Sequence, residues 1–159
     1  MIDTKNLKMK SGGTSLHPEK KAALVAALRS GKYQQGKSAL CIIDAETDDK
    51  HYCCLGVGAD ISPFESSTDY EEDGSATVLK WDDDTGSWGP YLQEWFGSKT
   101  DNPVFFRHIT RAEVEWFETH VDTPTRFDSE SGTNISATFC NDQLSLTFDQ
   151  IADLFEFWC

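Results

Sequence analysis

A chain of 159 residues with a formal net charge of −13 is long enough for one domain with a buried core and too short for two. Eight of its 14 Lys/Arg but only two of its 27 acidic residues lie within residues 1–40, so most of the surface repels duplex nucleic acid, whose binding needs basic side chains over a broad face. No apolar run reaches membrane-spanning or signal-peptide length, so no membrane association is expected, and the expectation is a cytosolic chain with reduced thiols.

Residues 1–15 are polar and contain a Gly12-Gly13 pair, the composition of a flexible tail, with order expected to begin near His17. "HPEKKAALVAALRSG" predicts a helix: Pro18 suits the first helical position, Glu19 the positive end, and Gly31 the exit. Leu24, Val25 and Leu28 form its apolar stripe. "SALCIID" and "KHYCCLGV" read as two strands of a hairpin around "AETDD", although the second run fits neither strand nor helix period cleanly and a short helix over 54–61 is the alternative.

Residues 62–87 form an acidic, solvated stretch interrupted by "TVLKW", which reads as an edge strand. "WGPYLQEWFG" predicts a short glycine-terminated helix whose Tyr91, Leu92, Trp95 and Phe96 share a core-facing side. "NPVFFRHIT" predicts a brief strand, and "TRAEVEWFETHV" a helix capped by Thr110 with Glu113 closing the box. In "LTFDQIADLFEFWC" Thr147 and Gln150 form a second capping box ahead of Ile151, Leu154, Phe155 and Trp158 at helical spacing. Those apolar side chains suit a core or a second copy of the chain equally. Short strands interleaved with separate helices predict an α+β fold, a small antiparallel sheet or hairpin packed with several short helices, in one domain over 16–159.

Three blocks, "ALRSGKYQQGKSAL", "HYCCLGVGADI" and "CNDQLSLTFDQIADLFE", resemble a family of small tailed-bacteriophage proteins. In that family a helix ending Leu-Arg-Ser-Gly leads to a Tyr-x-Gln-Gly-(Lys/Arg) loop, a Cys-Cys-Leu-Gly-Val motif follows, and Asn-Asp-x-x-x-x-Thr-Phe-x-x-Ile-Ala-Asp stands near the C-terminus. The chain departs from the pattern in its long acidic insertion and at Leu144 and Ser145, where a Gly-containing turn is more usual. The resemblance implies an accessory protein working in the cytoplasm of an infected bacterium, and it carries no catalytic residues.

The chemistry concentrates in the loop after the first helix. Arg29, Lys32 and Lys37 supply positive charge, Tyr33 a stacking surface, and Gln34 and Gln35 hydrogen-bonding amides, a set suited to a small anionic, nucleotide-like ligand. The competing reading makes Gly31 a helix cap and "KYQQGK" a solvated turn. Elsewhere the signals are weak. Five cysteines, two of them adjacent, do not match the spacing of a structural zinc site, and a Cys nucleophile with His51 or His108 as base needs an ionised thiol that apolar surroundings oppose. A calcium loop over 69–80 fails because Lys80 stands where a bidentate Glu is required. Asp60, Asp142 and Asp149 are acids with nothing in the sequence to set their separation. No metal or cofactor is expected. The resulting expectation is sequestration of an anionic nucleotide signal, with two alternatives: an acidic DNA mimic or host-protein inhibitor working through 69–84, or a hydrolase of the same nucleotide.

Overall fold

A computed structural model describes residues 13–70, 76–106 and 135–159. Helix α1 (Pro18–Arg29) leads into strands β1 (Gln34–Gln35), β2 (Cys41–Asp44) and β3 (Lys50–Tyr52) and then helix α2 (Cys54–Ile61). Strands β4 (Ser67–Tyr70) and β5 (Ala76–Lys80), helix α3 (Pro90–Phe96), strands β6 (Val104–Phe106) and β7 (Ile135–Ser136), a π-helical turn (Phe139–Gln143) and helix α4 (Phe148–Trp158) complete the order. The fold is α+β. A five-stranded sheet runs β1-β3-β2-β5-β4, antiparallel throughout except that β1 lies parallel to β3, and β6 pairs with β7 in a second, two-stranded sheet.

The predicted hairpin forms, with Cys41 opposite Tyr52 and Ile43 opposite Lys50, but its second strand ends at Tyr52 and the chain rolls into α2. Burial of every residue from Cys54 to Ala59 removes the polar side that would reveal a helical period, which is why this run reads ambiguously in the sequence. Gly56 makes the arrangement possible, because a Cβ there would lie 1.7 Å from the Leu40 carbonyl oxygen. The Cys53 thiol caps the helix by accepting from the Gly56 N–H, and Leu55 gives its carbonyl to the Trp88 indole N–H at 3.0 Å.

Helices α1 and α4 pack together over the core. Leu24, Val25 and Leu28 are buried as their spacing predicts, and the α4 capping box of Thr147 and Gln150 is present. Phe105 meets Phe155 edge-on with centroids 4.9 Å apart, and Trp88 stacks on Phe96 at 4.0 Å. Helix α3 departs from its expected pattern: Leu92 and Phe96 are buried, whereas Tyr91 is 61 % exposed. At 3.6 residues per turn the four side chains spread over roughly 140° of the helix circumference, and Tyr91 stands at one margin of that arc.

Residues 67–70 and 76–80 are more structured than the polarity of the surrounding stretch suggests. The β4–β5 pair joins the main sheet beside β2, with Val78 and Leu79 buried. At the other end of the chain, Thr14 is buried and exchanges hydrogen bonds with Val104, its N–H donating to the Val104 carbonyl at 2.7 Å and its hydroxyl accepting from the Val104 N–H at 3.0 Å. The helix predicted over 110–121 lies outside the described residues. Among the described residues no helix is long and apolar enough to cross a membrane.

Candidate functional site

The loop leaving α1 is held down from both ends of the sequence. Arg29, at the last turn of α1, places Nη2 2.5 Å from Asp153 Oδ1 and Nη1 2.6 Å from Glu156 Oε2, both on α4. The hydrogen bond to Asp153 leads the causes that raise the guanidinium pKa above its ordinary value. Its charge is therefore matched within the molecule, and its effect is to join two helices.

Tyr33 and Gln35 are likewise engaged. The Tyr33 hydroxyl donates to Asp60 Oδ2 at 2.7 Å, its ring meets Tyr52 edge-on at 5.0 Å, and burial, followed by the Asp60 contact, pushes its pKa up. Gln35 Nε2 donates both to Asn141 Oδ1 at 2.9 Å and to the Leu146 carbonyl at 2.7 Å. Gly36 sits so close to β3 that a Cβ would lie 2.8 Å from that of His51, and this closeness lets its N–H reach the Tyr52 carbonyl at 2.7 Å.

Lys32, Gln34 and Lys37 are exposed, as is Gln35 despite its two bonds. Gln34 pairs with His51 in the parallel register of β1 and β3, so its backbone is fixed while its side chain stands in solvent. Lys37 Nζ donates to Ser145 Oγ at 2.5 Å. The structure thus gathers the six candidates on one loop but divides them by engagement: Arg29, Tyr33 and Gln35 are bonded to α4, α2 and the π-turn, Lys37 meets Ser145, and Lys32 and Gln34 stand in solvent.

The partner surface is the π-helical turn and the residues after it. Asn141 is fully buried. Its Nδ2 donates to the Gly36 carbonyl and to Asp142 Oδ1, each at 2.8 Å, while its Oδ1 accepts from Gln35. Asp142 Oδ2 in turn accepts from the Ser38 N–H at 3.3 Å. Ser38 and Ser145 both hold left-handed backbone, at φ 74 and 54, uncommon for residues with a side chain. Inserting the extra residue of a π-turn aims Asn141 at the loop, and such turns recur at functional sites. Asn141, Ser38 and Ser145 were not among the predicted contacts. Their one signal is the Asn-Asp pair opening the third motif, and its partner lies more than a hundred residues earlier in the chain.

The four buried thiols are poorly suited to attack. Burial pushes Cys41 up to about 11 and Cys53 up to about 12, and complete burial raises Cys54 and Cys140 well above the ordinary thiol value. Each stays protonated near neutral pH, where a nucleophile or metal ligand needs the thiolate. Cys54 Sγ instead donates to the Ala137 carbonyl at 3.5 Å. Among the described residues no group of three or more His, Cys, Asp and Glu is placed to hold a metal ion. His108 and most of the acidic 69–80 segment's turn lie outside the described residues.

An α+β domain whose N-terminal loop is latched to a C-terminal π-turn is the class these features define. The chain belongs to the DUF8296 family, a domain of unknown function, whose model matches residues 16–158. No curated protein and no solved structure matches it significantly.

Proposed function

We propose that this chain is a binding protein for a small anionic, nucleotide-like ligand, captured where loop 32–38 meets turn 141–145. The observation that carries the reading is the buried Asn141, whose bonds to Gly36, Gln35 and Asp142 fix a cation-bearing loop in place. A loop already ordered loses little entropy on binding, and affinity gains by that amount. Lys32, Gln34 and Lys37 are the contacting side chains, with the Ser145 hydroxyl beside Lys37. Arg29, Tyr33 and Gln35 hold the loop.

Protonated, buried thiols favour capture over covalent chemistry. In the phage setting that the three motifs resemble, the ligand is a nucleotide immune signal, and holding it intact keeps it from its host sensor.

The test is incubation of the purified protein with a panel of ADP-ribose-like and cyclic nucleotides, followed by denaturation and analysis of what is released. Intact ligand is expected. Lys32→Glu combined with Lys37→Glu should weaken retention at least about tenfold by calorimetry, since two favourable charge contacts become repulsive, while circular dichroism stays unchanged. Released product would make the chain a hydrolase, and retention untouched by the double variant would remove this loop from the site.

A further inference from the structure

On another part of the molecule, the turn after β5 combines strained backbone, exposed carboxylate and exposed aromatic surface. Trp81 and Asp84 form an antiparallel bridge, each N–H donating to the other's carbonyl at 3.0 Å. The two residues between them, Asp82 and Asp83, both have positive φ, 54 and 60. This is the backbone of a type I′ turn, which favours Asn-Gly or Asp-Gly, because a side chain in the left-handed region is disfavoured. An aspartate therefore stands at the second position, where glycine would be more stable. Strain of this kind, held by surrounding structure, is a pointer to function.

The surroundings give the turn a partner chemistry. Asp82 Oδ2 accepts from the Tyr91 N–H at 2.9 Å, which ties the turn to the start of α3. Tyr91, 61 % exposed, stacks one face on the half-buried Phe64, with centroids 6.0 Å apart and planes inclined by 29°. Its other face is open to solvent. Pro63 and Pro90 are exposed beside the pair, as are Glu65 and Glu94. The Asp83 side chain is 95 % exposed, and its ion pair with Lys80, at 3.4 Å, uses Oδ1.

We infer that the Asp82–Asp83 turn and the Phe64–Tyr91 pair form a docking surface for an arginine-bearing basic segment of a partner protein. A guanidinium laid on the free face of Tyr91 gains cation–π attraction while its N–H groups reach the neighbouring carboxylates. Arginine does this better than lysine because its flat, weakly hydrated fork both stacks and donates in parallel. Charge complementarity selects this occupant: Asp82 bonds the Tyr91 N–H, the exposed Asp83 follows it, and the exposed Glu65 and Glu94 flank the aromatic pair in sequence.

The experiment measures binding of fluorescent hexa-arginine and hexa-lysine peptides by anisotropy at physiological salt. Hexa-arginine should bind several-fold more tightly than hexa-lysine. Tyr91→Ala, which changes no charge, should weaken hexa-arginine about threefold and hexa-lysine less. Asp83→Gly should weaken hexa-arginine about twofold while raising the melting temperature, so that its loss of binding cannot come from unfolding. Glu46→Gln, at the β2–β3 turn, removes the same charge elsewhere and should change binding by less than Asp83→Gly. Equal affinity for the two peptides, no effect of Tyr91→Ala, or equal effects of Asp83→Gly and Glu46→Gln would each reduce the attraction to net charge alone and overturn the inference.

Discussion

The seam between loop 32–38 and turn 141–145 and the turn at Asp82–Asp83 are both polar and both contain non-glycine residues at positive φ, yet their hydrogen bonds have different reach. At the seam, Gln35 to Asn141, Asn141 to Gly36 and Lys37 to Ser145 connect residues more than a hundred positions apart. Around the acidic turn the carboxylates reach far less: Asp84 accepts from the N–H groups of Gly86 and Ser87, two and three residues on, and Asp82 from that of Tyr91, nine residues on. The first set joins separate parts of the chain, so its loss is felt globally. The second stabilises a turn that the backbone makes for itself and leaves charge facing water. Polar residues of similar appearance thus divide into those the fold consumes and those it presents.

The sharpest way to break this contrast is Asn141→Leu, which keeps the volume but removes the bonds that the buried Asn141 makes with Gln35, Gly36 and Asp142. Each of the three hydrogen bonds is worth about 0.5–1.5 kcal/mol, so urea unfolding should show a loss of about 3 kcal/mol. A loss no greater than that of the local variants below would mean that the two regions do not differ in kind.

Asp84→Ala removes the acceptor for two backbone N–H groups and should cost about 1.5 kcal/mol, as loss of a capping side chain does. Burial raises the Asp84 pKa, and the bonds from Gly86 and Ser87 lower it by more, so the carboxyl lies below its ordinary value. A depressed carboxyl contributes stability above the unfolded pKa of about 3.9 and loses it as pH falls through the folded value. The difference between wild type and Asp84→Ala should therefore be complete above about pH 4 and shrink in stronger acid; a difference that grows on acidification would contradict the assignment.

Asp83→Gly acts in the opposite direction. Relieving one left-handed side chain should stabilise the domain by about 1 kcal/mol, or about 3 °C in Tm for a chain of this size. A fall in Tm in differential scanning calorimetry would show that the turn is not strained. The smallest effect belongs to Arg29→Met. This side chain is more than a third exposed, and solvent screening limits its two ion pairs to about 0.5–1 kcal/mol, detectable as a salt-dependent shift in the urea midpoint. A salt-independent loss above about 2 kcal/mol would instead identify Arg29 as part of the core packing.

Much of the fold is legible in the residues because local chemistry dictates it. Pro18 with the Leu24, Val25 and Leu28 stripe specifies α1, and Thr147 with Gln150 specifies the start of α4. The β2–β3 hairpin follows from its apolar runs and polar turn. Local pattern fails where burial is complete or the backbone is irregular. Residues 54–59 lack a polar face, and nothing in "FCNDQ" announces a π-turn.

The candidate site divides along the same line. That a cationic loop follows α1 is determined by the sequence alone, since residue type fixes charge wherever the chain folds. Which of its members face water was decided only by the tertiary structure. Arg29 is neutralised because α4 brings Asp153 and Glu156 alongside it, and Gln35, itself exposed, is tied down because the fully buried Asn141 accepts its amide. A side chain's partner in such cases is set by how distant segments pack, and a hydrogen bond spanning a hundred residues leaves no trace in the spacing of either end.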